Sequence, residues 1–185
     1  MRAFVAIPVP EDIRERLEAL QSDLPVGRLA DPETFHVTLA FLGDEPVGRI
    51  EAAHEALENL AAAPFSLRID GLGTFGGGAP KTLFAAIAPS EPLDTLQRKV
   101  RSLLHGAGIM PDRARFRPHV TLARFRPGSG IEAALARFLT RHASFGSAPF
   151  PVTEVVLYRS HLTGDGAIHD ALAEYPLTWS VSGLP

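Results

Sequence analysis

The tetrapeptide His-Val-Thr-Leu occurs twice in this chain, at residues 36–39 and again at 119–122, once in each half of the 185 residues. Only seven histidines are present, so two of them share the same four-residue context. On an extended strand, residues i and i+2 point to one face. Each copy therefore offers an imidazole and a hydroxyl together, while its Val and Leu point into a core. Two such strands facing each other would surround one cavity with two imidazoles and two hydroxyls, a set suited to acid–base chemistry on an oxyanion. The repeat also constrains the fold. It implies two lobes related by an approximate two-fold axis, with the motif strands opposed across a cleft.

The flanks repeat as well. Ala40 and Ala123 follow the motifs, and Phe41 and Phe125 lie close behind them. A lone His-x-Thr in a strand is ordinarily a partly buried histidine bonded to a neighbour. An ordinary core has no reason to repeat a polar pair twice, which is why His36, Thr38, His119 and Thr121 are read together as a site.

The remaining pattern is α+β. A strand is expected over residues 2–9, then a helix over about 11–24 with Ile13, Leu17 and Leu20 at helical spacing. The first motif strand runs to Gly43, and Pro46 opens a second helix through Ile50, Ala53, Leu57 and Leu60. Strands are expected at 65–72 and 82–88, with 73–80 as a glycine-rich loop. A third helix over 92–105 precedes the second motif, a fourth over 131–142 follows it, and strands near 152–161 and 171–179 end the chain. That makes four helices and seven or eight strands in antiparallel or mixed sheets, with outer helices. No linker separates independent units, so residues 1–185 are expected to form one domain of two intertwined lobes.

Composition narrows the function. Hydrophobic residues at 45% and charged residues at 21% suit a soluble folded chain, and no apolar stretch is long enough to span a membrane. The apolar run at 3–8 is too short for a signal sequence and reads as a first strand. With no cysteine, disulfides, thiolate nucleophiles and cysteine zinc sites are excluded, and a cytoplasmic location is expected. The net charge of −3 argues against coating nucleic acid by bulk electrostatics, although Arg113, Arg115, Arg117, Arg124 and Arg126 gather around the second motif. No His-Glu-x-x-His or carboxylate cluster stands at ligand spacing, so neither metal nor cofactor is expected. Gly76-Gly77-Gly78 lacks the Lys-Ser/Thr of a phosphate loop. His54, His105 and His142 are expected on helix surfaces, and His161 and His169 at most border the cleft.

The duplicated His-x-Thr-x resembles the signature of the two-histidine (2H) phosphoesterases. Arg2-Ala3-Phe4-Val5-Ala6-Ile7, His36-Val37-Thr38-Leu39-Ala40-Phe41-Leu42-Gly43 and Phe116-Arg117-Pro118-His119-Val120-Thr121-Leu122-Ala123-Arg124 resemble in particular the RNA 2′,3′-cyclic phosphodiesterases, also called 2′-5′ RNA ligases. The likeness extends over nearly the whole chain. It implies a bilobal fold with a V-shaped cleft, His36 as general acid, His119 as general base, and Thr38 and Thr121 on phosphate oxygens. It also implies a functional arginine at Arg124. Strict alternation, however, places a residue five beyond His119 on the opposite face, so Arg124 reaches the site only if the strand twists, bulges or ends there. Phe41 is the matching residue of the first copy, available to stack on a base or to pack in the core. Two departures bear on base preference. Arg28-Leu29-Ala30 stands where the family often has an aromatic residue, and Ile168-His169 where it often has a tyrosine.

The leading reading is thus a metal-independent phosphodiesterase, acting as a monomer on RNA ends or nucleotides that carry a 2′,3′-cyclic phosphate. It would leave a 2′-phosphate, with ATP-free 2′-5′ ligation as related chemistry. Small cyclic nucleotides or 2′-5′ oligonucleotides are alternative substrates for the same residues. An RNA-end-binding module without turnover would need no imidazole pair, and a histidine metallohydrolase would need further ligands.

Overall fold

The computed structural model describes residues 1–111, 115–126, 128–163 and 166–179. Strand β1 (Arg2–Pro8) leads to helix α1 (Glu11–Ser22), then β2 (Arg28–Leu29), a single 3-10 turn at Pro32–Thr34 and the first motif strand, β3 (His36–Asp44). Helix α2 (Val47–Leu57), strands β4 (Phe65–Leu67), β5 (Ile69–Phe75) and β6 (Thr82–Ile87), and helix α3 (Glu91–Gly106) come next. The second motif strand is β7 (His119–Arg124), followed by α4 (Glu132–Arg141), β8 (Phe150–Val152), β9 (Glu154–Thr163) and β10 (Gly166–Pro176).

Local chemistry sets the helices. Extended Pro10 delivers the chain into α1, whose first turn holds Glu11 and Asp12 against the positive end of the helix dipole. The Ser90 hydroxyl accepts from the Leu93 amide at 3.3 Å to cap α3, with Pro92 in its first turn. Ile13, Leu17 and Leu20 of α1 and Leu93, Leu96, Val100 and Leu104 of α3 are buried on one face each. None of the described helices is long and apolar enough to cross a membrane.

One sheet runs β10-β9-β1-β3 and the other β2-β7-β6-β5, with a two-stranded β4-β8 pair beside them. The pairings within them are antiparallel. The fold is therefore α+β and bilobal, and each large sheet carries one motif strand. Helix α3 packs on β3 and α2, whereas α1 packs on β7. Each motif strand has one face in a common apolar cluster, Val37 and Leu39 on one side and Val120 and Leu122 on the other. Strands β3 and β7 also meet each other directly.

Three features differ from the sequence reading. The strand expected at 65–72 divides at Arg68, because Phe65–Leu67 pairs with β8 while Ile69 turns to pair with Ile87 of β6. The loop expected at 73–80 begins only at Gly76, since Gly73, Thr74 and Phe75 extend β5. Gly73 is needed there: a Cβ would lie 2.6 Å from Cζ of Phe84, whose ring crosses that point of the sheet. Finally, β9 is shifted by two residues and β10 starts earlier and is longer than expected, and the short strands β2 and β8 add to the expected set, being too brief for periodicity to register.

Candidate active site

The two motif strands share a detailed irregularity. In β3, Thr38 pairs with Ala6 and Ala40 with Val5, so Leu39 is an extra residue without a partner. In β7, Thr121 pairs with Phe84 and Ala123 with Leu83, so Leu122 is the extra residue. Both are β-bulges at the fourth position of the motif, and a bulge resets the alternation of side chains beyond it. Burial follows accordingly. His36 and Thr38 are half-buried, Leu39 and Ala40 both buried and Phe41 exposed; His119, Thr121, Leu122, Ala123 and Arg124 repeat the series. The bulge is the feature Arg124 requires in order to share a face with His119, five residues earlier. Its charge lowers the proton affinity of both His36 and His119. Phe41 joins the His36 face by the same device, its ring 6.0 Å from Phe4.

Each histidine is held in the same manner. Nδ1 of His36 lies 2.6 Å from the Thr34 carbonyl and Nδ1 of His119 lies 2.6 Å from the Arg117 carbonyl, in both cases two residues back. A carbonyl only accepts, so Nδ1 carries the proton and Nε2 of the neutral ring keeps its lone pair. Aromatic rings collar both imidazoles. Around His36 stand Phe4 at 4.7 Å, Tyr158 at 6.3 Å and His169 at 5.3 Å. Around His119 stand Phe75 at 4.9 Å and Phe84 at 5.1 Å, with the Arg117 guanidinium over the Phe75 ring. Burial among these rings pushes the His36 pKa down to about 4, opposed by the Thr34 hydrogen bond and aided by the charges of His169, His119 and Arg124. Burial likewise lowers His119, with Arg124 and Arg117 contributing. Both rings are neutral near pH 7 in the free protein and able to take a proton at Nε2.

His169, expected at most to border the cleft, stands against His36. Antiparallel pairing of β9 with β10 sets it opposite Ser160 and beside Tyr158, edge-on to Phe4 and His36. Nothing in local spacing announces this, since β9 and β1 lie between its strand and that of His36 in the sheet. His161 instead holds the Asp170 carboxylate at 3.0 Å together with Arg159. His105 is exposed on α3, as expected. His54 is partly exposed on α2, with Nδ1 2.9 Å from the Tyr175 hydroxyl, whereas His142 departs from the surface reading, half-buried on Phe138 with Asp23 at 3.3 Å. Of the arginine cluster, Arg115, Arg117, Arg124 and Arg126 are exposed, while Arg113 lies outside the described residues. Among the described residues, no group of three or more His, Cys, Asp or Glu side chains is arranged to hold a metal ion. A depression of about 410 Å³ between Arg16, Asp70 and Phe145 lies apart from these residues and contains no histidine.

A sequence profile of the 2′-5′ RNA ligase superfamily matches residues 9–164. The chain is 34% identical over 187 residues to an RNA 2′,3′-cyclic phosphodiesterase of Geobacillus stearothermophilus, an alignment covering 97% of this chain and 58% of that relative's length. It is 27% identical over 176 residues to the RNA 2′,3′-cyclic phosphodiesterase of Archaeoglobus fulgidus, covering 93% of this chain and 98% of the relative. Among solved structures, the protein TT0787 of Thermus thermophilus superposes with a TM-score of 0.80 at 26% identity, over 97% of this chain and all of that one. Escherichia coli LigT complexed with 3′-AMP has the same fold, with a TM-score of 0.76 at 23% identity over 96% of this chain and 98% of that one.

Proposed function

The chain belongs to the 2′-5′ RNA ligase superfamily, and from that premise we propose that it is an RNA 2′,3′-cyclic phosphodiesterase working by paired imidazoles without a metal. The observation that carries the reading is the matched pair of bulged strands, each presenting an imidazole whose Nδ1 is tied to the carbonyl two residues back. Fixed at Nδ1, each ring has Nε2 free for the reaction.

In the proposed reaction, Thr38, Thr121 and Arg124 hold the non-bridging oxygens of the cyclic phosphate. His119 takes a proton from water through Nε2 as the water oxygen bonds to phosphorus. On the far side the bond from phosphorus to the ribose 3′ oxygen breaks, and that oxygen takes a proton from Nε2 of His36. One water is consumed, one proton enters His119, one leaves His36, and a 2′-phosphate remains. A neutral base is available at once, since burial lowers the pKa of His119. The protonated acid forms as the substrate enters, because an anion within about 4 Å raises the pKa of His36. A 5′-hydroxyl in place of water gives a 2′-5′ phosphodiester by the same bond exchange. The strained ring supplies its driving force, so ATP is not required. Phe41, exposed beside Phe4, offers a face for the terminal base.

Incubation with 2′,3′-cyclic nucleotides and cyclic-phosphate-ended RNA, with and without EDTA, tests the proposal. The expected product is the 2′-phosphate in both cases, identified by its phosphorus NMR signal. Loss of turnover in EDTA with recovery on adding a divalent ion would overturn it.

A further inference from the structure

Each bulge takes a side-chain donor from a helix in addition to what the strands supply. The extra residue of a bulge drops out of the ladder, and its carbonyl must find a donor elsewhere or remain buried unpaired. Polar side chains are scarce in this interior: Gln21, Thr82 and Gln97 are the buried ones among the described residues. Both glutamines serve a bulge. Nε2 of Gln21, near the end of α1, donates to the Leu122 carbonyl at 2.7 Å and to the Ala30 carbonyl at 2.8 Å. The Ala30 amide donates to the same Leu122 oxygen at 2.8 Å, so both of its lone pairs are used. Nε2 of Gln97, in α3, donates to the Leu39 carbonyl at 3.4 Å, the longer of the two contacts.

We infer that Gln21 and Gln97 are a matched pair of positioning residues, each pinning the bulged leucine of one motif strand and thereby holding Arg124 and Phe41 on the histidine face. The inference extends the proposed phosphodiesterase reading and rests on it for the roles of Arg124 and Phe41. The reasons are threefold. A buried amide is costly unless bonded, so a glutamine among leucines is retained for its hydrogen bonds. Both donors end on the same motif position of two different strands. And the consequence of each bulge is the outward placement of the residue two further on, Phe41 or Arg124. Either helix could pack equally well with an apolar residue at that site, whereas the Leu39 carbonyl would lose its side-chain donor and the Leu122 carbonyl would keep the Ala30 amide alone.

Gln21→Met and Gln97→Met remove the donors and keep unbranched bulk. The expected effects differ between the two. Gln21→Met releases Arg124, so inorganic phosphate binds more weakly, kcat/KM falls about tenfold or more, and the His119 ring titrates at higher pH as the Arg124 charge moves off while Arg117 stays. Gln97→Met releases Phe41, so KM for a cyclic nucleotide rises while inorganic phosphate affinity is kept. Folded variants in which both properties fall together, or neither changes, overturn the inference. Phosphate binding and NMR titration of the His119 ring need no turnover, so they decide the Gln21 assignment even if the wild type proves inactive on cyclic phosphates, an outcome that would sink the functional reading alone. Should a variant fail to fold, the wild-type side-chain amides decide: the Nε2 protons of Gln21 and Gln97 are expected to exchange slowly with solvent, and fast exchange at either overturns the pair.

Discussion

His36 and His169 meet edge to face, their ring centroids 5.3 Å apart and their planes at 82°. The second ring arrives from the terminal hairpin, and its positive form opposes protonation of the first. A third imidazole therefore stands against the first motif histidine.

His169→Phe keeps an aromatic neighbour and removes the charge. The His36 pKa, held near 4 chiefly by burial, is expected to rise. In a bell-shaped profile of kcat/KM the lower pKa sets the acid limb, whichever role its owner plays. The acid limb should move toward neutral pH in this variant, measured with a 2′,3′-cyclic nucleotide. An unmoved limb would show that His169 does not influence His36.

Folding stability should depend on the same group. His36 titrates at about 4 when folded and near 6.5 when unfolded, so between these values the unfolded chain binds more protons. Its contribution is fully present above pH 6.5 and is lost as pH falls toward 4, at most roughly 3 kcal/mol. His119 and His169, also lowered by burial, act in the same direction. Urea denaturation at pH 7 and pH 4.5 is expected to show a smaller stability difference for His36→Ala than for the wild type. Equal differences would refute the assignment.

Turnover itself should depend on both motif imidazoles. His36→Ala and His119→Ala are each expected to lower kcat by about 10²–10⁴, and the double variant to be little worse than either, because acid and base act as a unit. Circular dichroism should remain native, since both rings are half-buried and stand outside the apolar core. Near-normal kcat in either single variant would remove that histidine from the mechanism.

The hydroxyls separate phosphate binding from proton transfer. Thr38→Val and Thr121→Val preserve the β-branched shape and remove one donor each. A hydrogen bond to a charged group contributes about 1.5–3 kcal/mol, so kcat/KM should fall by one to two powers of ten with the bell shape retained. Full kcat/KM in either variant would mean that the threonine serves only the strand.

How much of this was legible in advance can be judged residue by residue. The repeated tetrapeptide determined that two strands each present a histidine and a threonine to one side, because i and i+2 share a face in any pleated strand. Helical periodicity placed α1 to α4 within a few residues, since the core requires one apolar stripe from each. Alternation alone sets Arg124 opposite His119 unless the strand bulges, and only the tertiary structure shows the bulge. A bulge is a property of two paired strands and of whatever satisfies the displaced carbonyl. Leu122 is the extra residue because β6 pairs on either side of it, and its carbonyl takes donors from the Ala30 amide and from Gln21, 101 residues earlier in the chain. His169 could not be placed beside His36 from local pattern either, because that contact is set by the sheet order β10-β9-β1-β3. What local stereochemistry governs was readable in the chain; what depends on strand register and on donors brought from distant helices existed only once the two sheets had assembled.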